Sequence, residues 1–229
     1  VATVTLPERA DAAEVLELYR EALGKEPRVK LVLLTHVSNQ HGLRIPVAQI
    51  AAAARERGAD VICDAAQSWG LVDMRVDELG VDWAAFNLHK WIGAPLGTGA
   101  LYMRRGSLDR VAPYPGDVDE GPNRVARRVH SGTSNFAAIL AIPAALEFHE
   151  AIGGANKEAR LRYVRSCWTD PAEAMDHVEV LGGRDEAAWS GLASFRLANR
   201  RSVADATALQ QRLEHEHGIF TVVRQGLDG

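Results

Sequence analysis

An amine, a carboxylate and several neutral hydrogen-bonding groups stand at the ends of three apolar runs in this 229-residue chain. The run RVKLVLLTHV (28–37) leads into SNQHG, which carries Asn39. ADVIC leads into Asp64 and, three residues on, Gln67, while DWAAFNL ends on Asn87 and Leu88 and runs into His89 and Lys90. Burying an ammonium among Trp91, Ile92, Ala94 and Leu96 without a partner is expensive. The setting therefore predicts a lysine that is neutral or covalently engaged, its pKa lowered by apolar surroundings. Taken singly, a strand-end aspartate is commonly a turn or cap residue and a lone histidine a structural one. Together Asn39, Asp64, Gln67, His89 and Lys90 suit a ligand that needs an acid, an amine and neutral donors.

They meet only if the strands that carry them are parallel neighbours, because ligands of open α/β sheets bind outside the carboxyl ends of the strands. The pattern predicts this. A strand-like TVTL precedes a helix from about Asp11 to Leu23, with Asp11 as N-cap and Val15, Leu16, Leu18, Tyr19, Ala22 and Leu23 as its apolar stripe. Residues 28–37 read as a doubly covered parallel strand. Pro46 opens a second helix that Gly58 closes. ADVICDAAQ, DWAAFNL and GALYMR supply further strands, so the first 105 residues alternate as an α/β layered domain, a mostly parallel sheet flanked by helices. Residues 107–134, rich in Pro, Gly, Asp and Arg, read as a loop excursion, and 135–153 as one long helix kinked at Pro143. Beyond Gly153-Gly154 come a helix near 155–168, strands in HVEVLG and LASFRLA, the helix VADATALQQRLEHEHG and a strand IFTVV. The division is thus a large domain over 1–153 and a smaller α+β domain over 154–229.

A net charge of −4 gives no electrostatic case for nucleic acid, and RVARRVH (124–130) reads as a solvated face. Cys63 and Cys167 match no metal or redox spacing, so the expectation is no metal and a reducing cytoplasm. No apolar stretch approaches the roughly 20 residues of a membrane span. The chain begins inside a strand-like run without an initiator Met and stops in a Gly/Asp turn, which predicts cuts through a longer protein.

Pyridoxal phosphate is a ligand with the required needs. Its aldehyde takes a neutral lysine amine, the role open to Lys90. Its ring nitrogen stays protonated beside a buried carboxylate, here Asp64. Its phenolic oxygen suits Asn39 and Gln67, and its phosphate suits His89 and backbone N–H groups. A dinucleotide fold is a poor alternative, since GTG (97–99) precedes a strand rather than joining strand to helix.

The stretch from HVSNQHG through DAAQSWG to HKWIGAPLGTGALYMRR closely resembles the class V aminotransferase group of fold-type I pyridoxal-phosphate enzymes. That group includes isopenicillin N epimerase-like proteins, cysteine desulfurases, selenocysteine lyases and kynureninase, and the epimerase-like subgroup is the nearest in pattern. The ordered motifs span about seventy residues, RRVHSGTSNFAAILAIPAALEFHEAIG extends them, and the likeness weakens after Gly154. The resemblance implies that Lys90 is the Schiff-base lysine and Asp64 the partner of the pyridinium. It implies that Gln67 and Asn39 contact the phenolic oxygen or ring region and that His89 contacts the phosphate. Asn87 stands where relatives often have Ser or Thr. Thr133 matches a threonine that reaches the phosphate of the neighbouring subunit's cofactor, which implies a homodimer with active sites at the interface. The family's upstream phosphate turn, its ring-stacking residue and its downstream substrate-carboxylate arginine have no match here, and Arg224 fits a strand-end position better than that clamp. The chain by itself is therefore expected to hold cofactor poorly, and a catalytically incompetent fragment that keeps the fold as a dimerisation module is one alternative. The activity implied is chemistry at the α-carbon of an amino acid: aminotransferase, epimerase or C–S lyase. A cysteine desulfurase is a further alternative, but Gly229 stands where such relatives carry a nucleophilic cysteine, and both cysteines read as packing residues.

Overall fold

The structure is a computed structural model that describes residues 1–113, 125, 128 and 132–225. The expected excursion over 107–134, the basic run 124–130 and Gly229 lie wholly or mostly outside the described residues.

Four strands form the main sheet: β2 (Leu31–Thr35), β3 (Asp60–Asp64), β4 (Trp83–Asn87) and β5 (Gly99–Met103), in the order β2-β3-β4-β5. The first three run parallel, and β5 returns antiparallel to β4. Helices α1 (Ala12–Lys25) and α2 (Val47–Glu56) supply the core beneath one face. Asp11 caps α1 as the sequence suggests, its carboxylate accepting the Glu14 N–H at 2.8 Å. Val15, Tyr19 and Leu23, spaced by one helical turn, bury that helix. Ile50, Ala51 and Ala54 do the same for α2, whose small residues let it lie close to Leu34, Val61, Cys63 and Ala84.

Strand alternation sends the other set of side chains to an open face. Thr35, Asp64, Ala85 and Leu101 stand in one register row across the four strands, and all four are exposed. Leu33 on the same face is 68% exposed.

A second sheet has the order β1-β6-β7, formed by β1 (Arg9–Ala10), β6 (Val178–Gly183) and β7 (Ser194–Leu197). β1 runs parallel to β6, with Gly182 N–H donating to Glu8 O and Arg184 N–H to Ala10 O, both at 2.8 Å. The first ten residues thus reach across the proposed 153/154 domain division. Between the two sheets in sequence come α3 (Phe136–Leu140), α4 (Ile142–Ile152) and α5 (Gly154–Glu173); α6 (Val203–His217) follows β7. No single helix among the described residues is long and apolar enough to cross a membrane.

Four expectations are corrected. TVTL forms no strand; Val4 and Leu6 instead pack by their side chains against the core, and the ladder begins at Arg9. IFTVV likewise pairs with no strand among the described residues: Ile219 N–H closes the end of α6 on Leu213 O, and Phe220 is 75% exposed. The helix expected over 135–153 is two helices, broken at Ala141, and Pro143 sits in the first turn of the second. Proline is tolerated there because that N–H has no intrahelical partner to lose. The helix expected near 155–168 runs on to Glu173, with Pro171 inside its last turn.

His36, just past β2, is 2% exposed, and its Nδ1 has no hydrogen-bond partner among the described residues. Burial first, and the Arg44 guanidinium second, push its pKa from 6.5 down to about 4. The native state therefore keeps it neutral, so its contribution is complete above pH 6.5 and lost as pH falls through about 4. Urea unfolding across that window should show a loss on the order of 3 kcal/mol from this group, and His36→Gln should flatten the wild-type decline relative to its own value at neutral pH. Parallel declines for the two proteins would contradict the assignment.

Candidate functional site

Register brings the strand ends together. Thr35 pairs with Asp64 and Asp64 with Ala85, so the segments after β2, β3 and β4 leave the same edge of the sheet side by side. Asp64 Oδ1 accepts the Ala66 N–H at 2.9 Å, an Asx turn that starts the loop to Gln67. His36 N–H donates to Asp64 O and Ala65 N–H to Ala85 O, both at 2.9 Å, which ties that loop to both neighbouring strands. Asp64 itself is exposed on the open face.

After β4 the chain turns sharply. Ala94 N–H donates to Leu88 O at 3.0 Å and Gly93 N–H to Lys90 O at 3.2 Å, with Gly93 and Gly97 at φ of +83° and +87°. Leu88, Ile92 and Ala94 form the buried underside of this turn. Lys90 is exposed, which corrects the expectation of an apolar burial: its flanking Leu88 and Ile92 point inward while the lysine points out. Asp64, expected to be a buried carboxylate, is corrected in the same way, since it lies on the uncovered face of the sheet. His89 Nδ1 lies 2.9 Å from Thr98 O; a carbonyl only accepts, so Nδ1 carries the proton and Nε2 is left for a ligand. Asn87 is half-buried at the end of β4, paired with Gly99.

Asn39 sits at the tip of the turn after β2. Ser38 N–H donates to Leu43 O at 2.9 Å and Gly42 N–H to Ser38 O at 3.0 Å. Gly42 has φ +71°, and a Cβ there would stand 2.1 Å from Leu192 O, so only glycine lets the turn dock on that segment. Ser190 Oγ fastens it by donating to Gly42 O at 2.7 Å. Asn39 lines a cleft of about 770 Å³ that also takes in His41, Arg196, Phe195, Leu209 and Arg224. Thr133 is exposed in the segment before α3, with no hydrogen bond to the strand ends among the described residues.

Two residues had no place in the sequence reading of the site. Trp91 Nε1 donates to Gln67 Oε1 at 3.0 Å, and Lys157 Nζ, from α5, donates to Trp91 O. Burial lowers the Lys157 pKa. The pairs are 24 and 66 positions apart in sequence, and only the apolar context of HKW marked Trp91 at all.

The cysteines differ. Cys63 is fully buried on the core face of β3, and burial, then the charge of Asp64, push its thiol up to about 12 despite a hydrogen bond from the His36 backbone. Cys167, expected to be a packing residue, is exposed on α5 because it faces away from the helix's buried Arg165 and Thr169.

The donor set fits a pyridoxal phosphate group: an accessible amine, a neighbouring carboxylate with one oxygen unused by the Asx turn, an amide with spare N–H groups and an imidazole with a free nitrogen. Comparison with known proteins agrees with this chemistry. Isopenicillin N epimerase of Streptomyces clavuligerus is 30% identical over 177 residues, covering 70% of this chain and 44% of the relative. An apo cysteine desulfurase from Thermococcus onnurineus NA1 superposes with a TM-score of 0.70 at 26% identity, covering 90% of this chain and 51% of that one. The cystine C-S lyase C-DES in complex with its product cysteine persulfide gives a TM-score of 0.76 at 27% identity, covering 97% and 58%. The chain spans about half the length of the curated relatives it matches. The family model for aminotransferase class-V matches residues 3–219, and this chain belongs to that family.

Proposed function

We propose that the protein is a pyridoxal-phosphate-dependent enzyme acting at the α-carbon of an amino acid, with Lys90 as its covalent anchor. The observation that carries this reading is the register Thr35–Asp64–Ala85, which sets the carboxylate of Asp64 and the turn bearing Lys90 on one edge. When bound, the cofactor supplies an aldehyde that condenses with amines and a ring that withdraws electrons from the substrate α-carbon. Asp64 keeps a proton on the ring nitrogen. The Lys90 amine moves the α-proton, as general base and then as acid. Gln67 and Asn39 orient the phenolic side of the ring, while His89 and Asn87 hold the phosphate.

Thr133 reaches the cofactor of a second copy in this reading, so the assembly is a homodimer. The apolar exposure of Phe136, Leu140 and Phe148 on the adjoining helices supports such a contact. The two free thiols support a reducing compartment, the cytoplasm. In this reading residues 1–153 form the cofactor domain and 154–229 the smaller one, with β1 of the first part pairing into the second sheet.

Among the reactions open to such a site, transamination and epimerisation both start from the α-proton transfer assigned to Lys90, and transamination also needs an oxo-acid to accept the amino group. A C–S lyase is the second reading, favoured by the superposition on the cystine C-S lyase. Desulfuration through a cysteine nucleophile gains no support from Cys63, whose thiol is buried and protonated.

Two measurements follow. Lys25, Lys30, Lys90 and Lys157 are the lysines of the chain, so peptide mapping resolves each. After incubation with pyridoxal phosphate and borohydride, the phosphopyridoxyl mass should fall on Lys90 in preference to the other three, at sub-stoichiometric yield, and Lys90→Ala should abolish it. Equal labelling of the four lysines would sink the reading, and stoichiometric labelling would show that these residues alone suffice to hold cofactor. Iodoacetamide at mildly alkaline pH should alkylate Cys167 in the native chain and Cys63 only after denaturation; rapid native labelling of Cys63 would reopen the desulfurase alternative.

A further inference from the structure

Trp91 follows Lys90 directly, and three separate segments converge on it. Its indole N–H meets Gln67 Oε1 at 3.0 Å. Indole nitrogen donates and never accepts, so the amide atom facing it must be the oxygen. This fixes the orientation of the Gln67 amide chemically. The Nε2 group, with both its N–H bonds, is left facing away from the indole and has no partner among the described residues.

The backbone of Trp91 is held as firmly as its ring. Gly70, at φ +87°, closes the loop that carries Gln67, and a Cβ there would stand 2.8 Å from Trp91 C and O. That loop is itself cross-linked: Ser68 N–H donates to Ala65 O at 2.9 Å and Val72 N–H to Ser68 O at 2.8 Å. From α5 the Lys157 ammonium donates to Trp91 O. The loop after β3, the turn after β4 and α5 are therefore joined at one residue.

We propose that Trp91 is a positioning residue that presents Gln67 to the ligand as a hydrogen-bond donor. This rests on the reading of Lys90 as the anchor of pyridoxal phosphate. A phenolic oxygen carrying negative charge accepts hydrogen bonds, so only the NH₂ side of an amide stabilises it. An unrestrained glutamine can turn either end inward. The Trp91 bond occupies the carbonyl and leaves the donor side for the ring.

A donor at the phenolic oxygen favours the deprotonated form of the Lys90–cofactor link, so losing it raises the pKa at which the visible absorption titrates. Trp91→Phe keeps an aromatic ring and removes the donor; Gln67→Leu removes the amide. With excess pyridoxal phosphate, each variant should bind the link proton about three- to tenfold more tightly than wild type. The double variant should shift no further than Gln67→Leu alone, the signature of residues acting as one unit. In the cofactor-free chain, the Trp91 indole N–H resonance should move and exchange faster in Gln67→Leu, a readout independent of cofactor. A Trp91→Phe protein that titrates like wild type while Gln67→Leu shifts would overturn the proposal, as would an indole resonance indifferent to Gln67→Leu. A wild-type chain without any Lys90-linked absorption would instead defeat the reading of the site, and the donor role with it, while the indole resonance still reports whether the bond exists. Trp91→Phe should remain folded, by circular dichroism, across the pH range of the shifted titration; a shift that tracks unfolding would assign Trp91 a packing role only.

Discussion

Parallel pairing of β2, β3 and β4 is the constraint on which the rest depends. Parallel strands that are neighbours must end on the same side, and each needs a crossover to return. Here α2 is the crossover between β2 and β3, and its Ile50, Ala51 and Ala54 lie fully buried in the core it shares with Leu34 and Val61. Because the ladder fixes Thr35 opposite Asp64 and Asp64 opposite Ala85, the chemistry-bearing loops have no freedom to separate. Asp82 anchors the other end of the same ladder: its buried carboxylate accepts the Val61 N–H at 2.9 Å and pairs with Arg104 and Arg110. Those bonds hold its pKa below the usual range although burial pushes the other way.

The sheet is apolar on both faces yet covered on one. Leu33 and Leu101 are 68% and 49% exposed, and Asp64 stands in the row with Leu101. Parallel sheets are ordinarily buried on both sides. The environment of Asp64 and Lys90 therefore depends on what lies over this face. In the 229-residue chain these groups are reachable by solvent, which makes them open to direct chemical probing.

Much of this was legible in the sequence where a local rule decided the outcome. Asp11 reads as a cap because its carboxylate serves a backbone N–H three residues on. The strand ends read as a site because polar groups interrupt apolar runs at Asn39, Asp64 and His89. What failed needed information from elsewhere in the chain. TVTL and IFTVV have strand composition, but a strand requires a neighbour, and neither has one among the described residues. Lys90 sits among apolar residues in sequence, yet the turn that carries it buries Leu88 and Ile92 and leaves the lysine exposed, so apolar neighbours do not imply a buried lysine. The Trp91–Gln67 bond joins two loops that only strand order brings together, and nothing in either segment announces it.

The central claim is that Asp64 governs the charge of a pyridoxal phosphate ring held by Lys90. Its most direct test is the nitrogen-15 chemical shift of ring-labelled cofactor trapped on Lys90 by borohydride, followed as a function of pH. The account predicts a ring nitrogen that stays protonated to higher pH than in the free phosphopyridoxyl-lysine compound, and that reverts to the free behaviour in Asp64→Ala. A ring nitrogen that titrates like the free compound in the wild-type chain would contradict it.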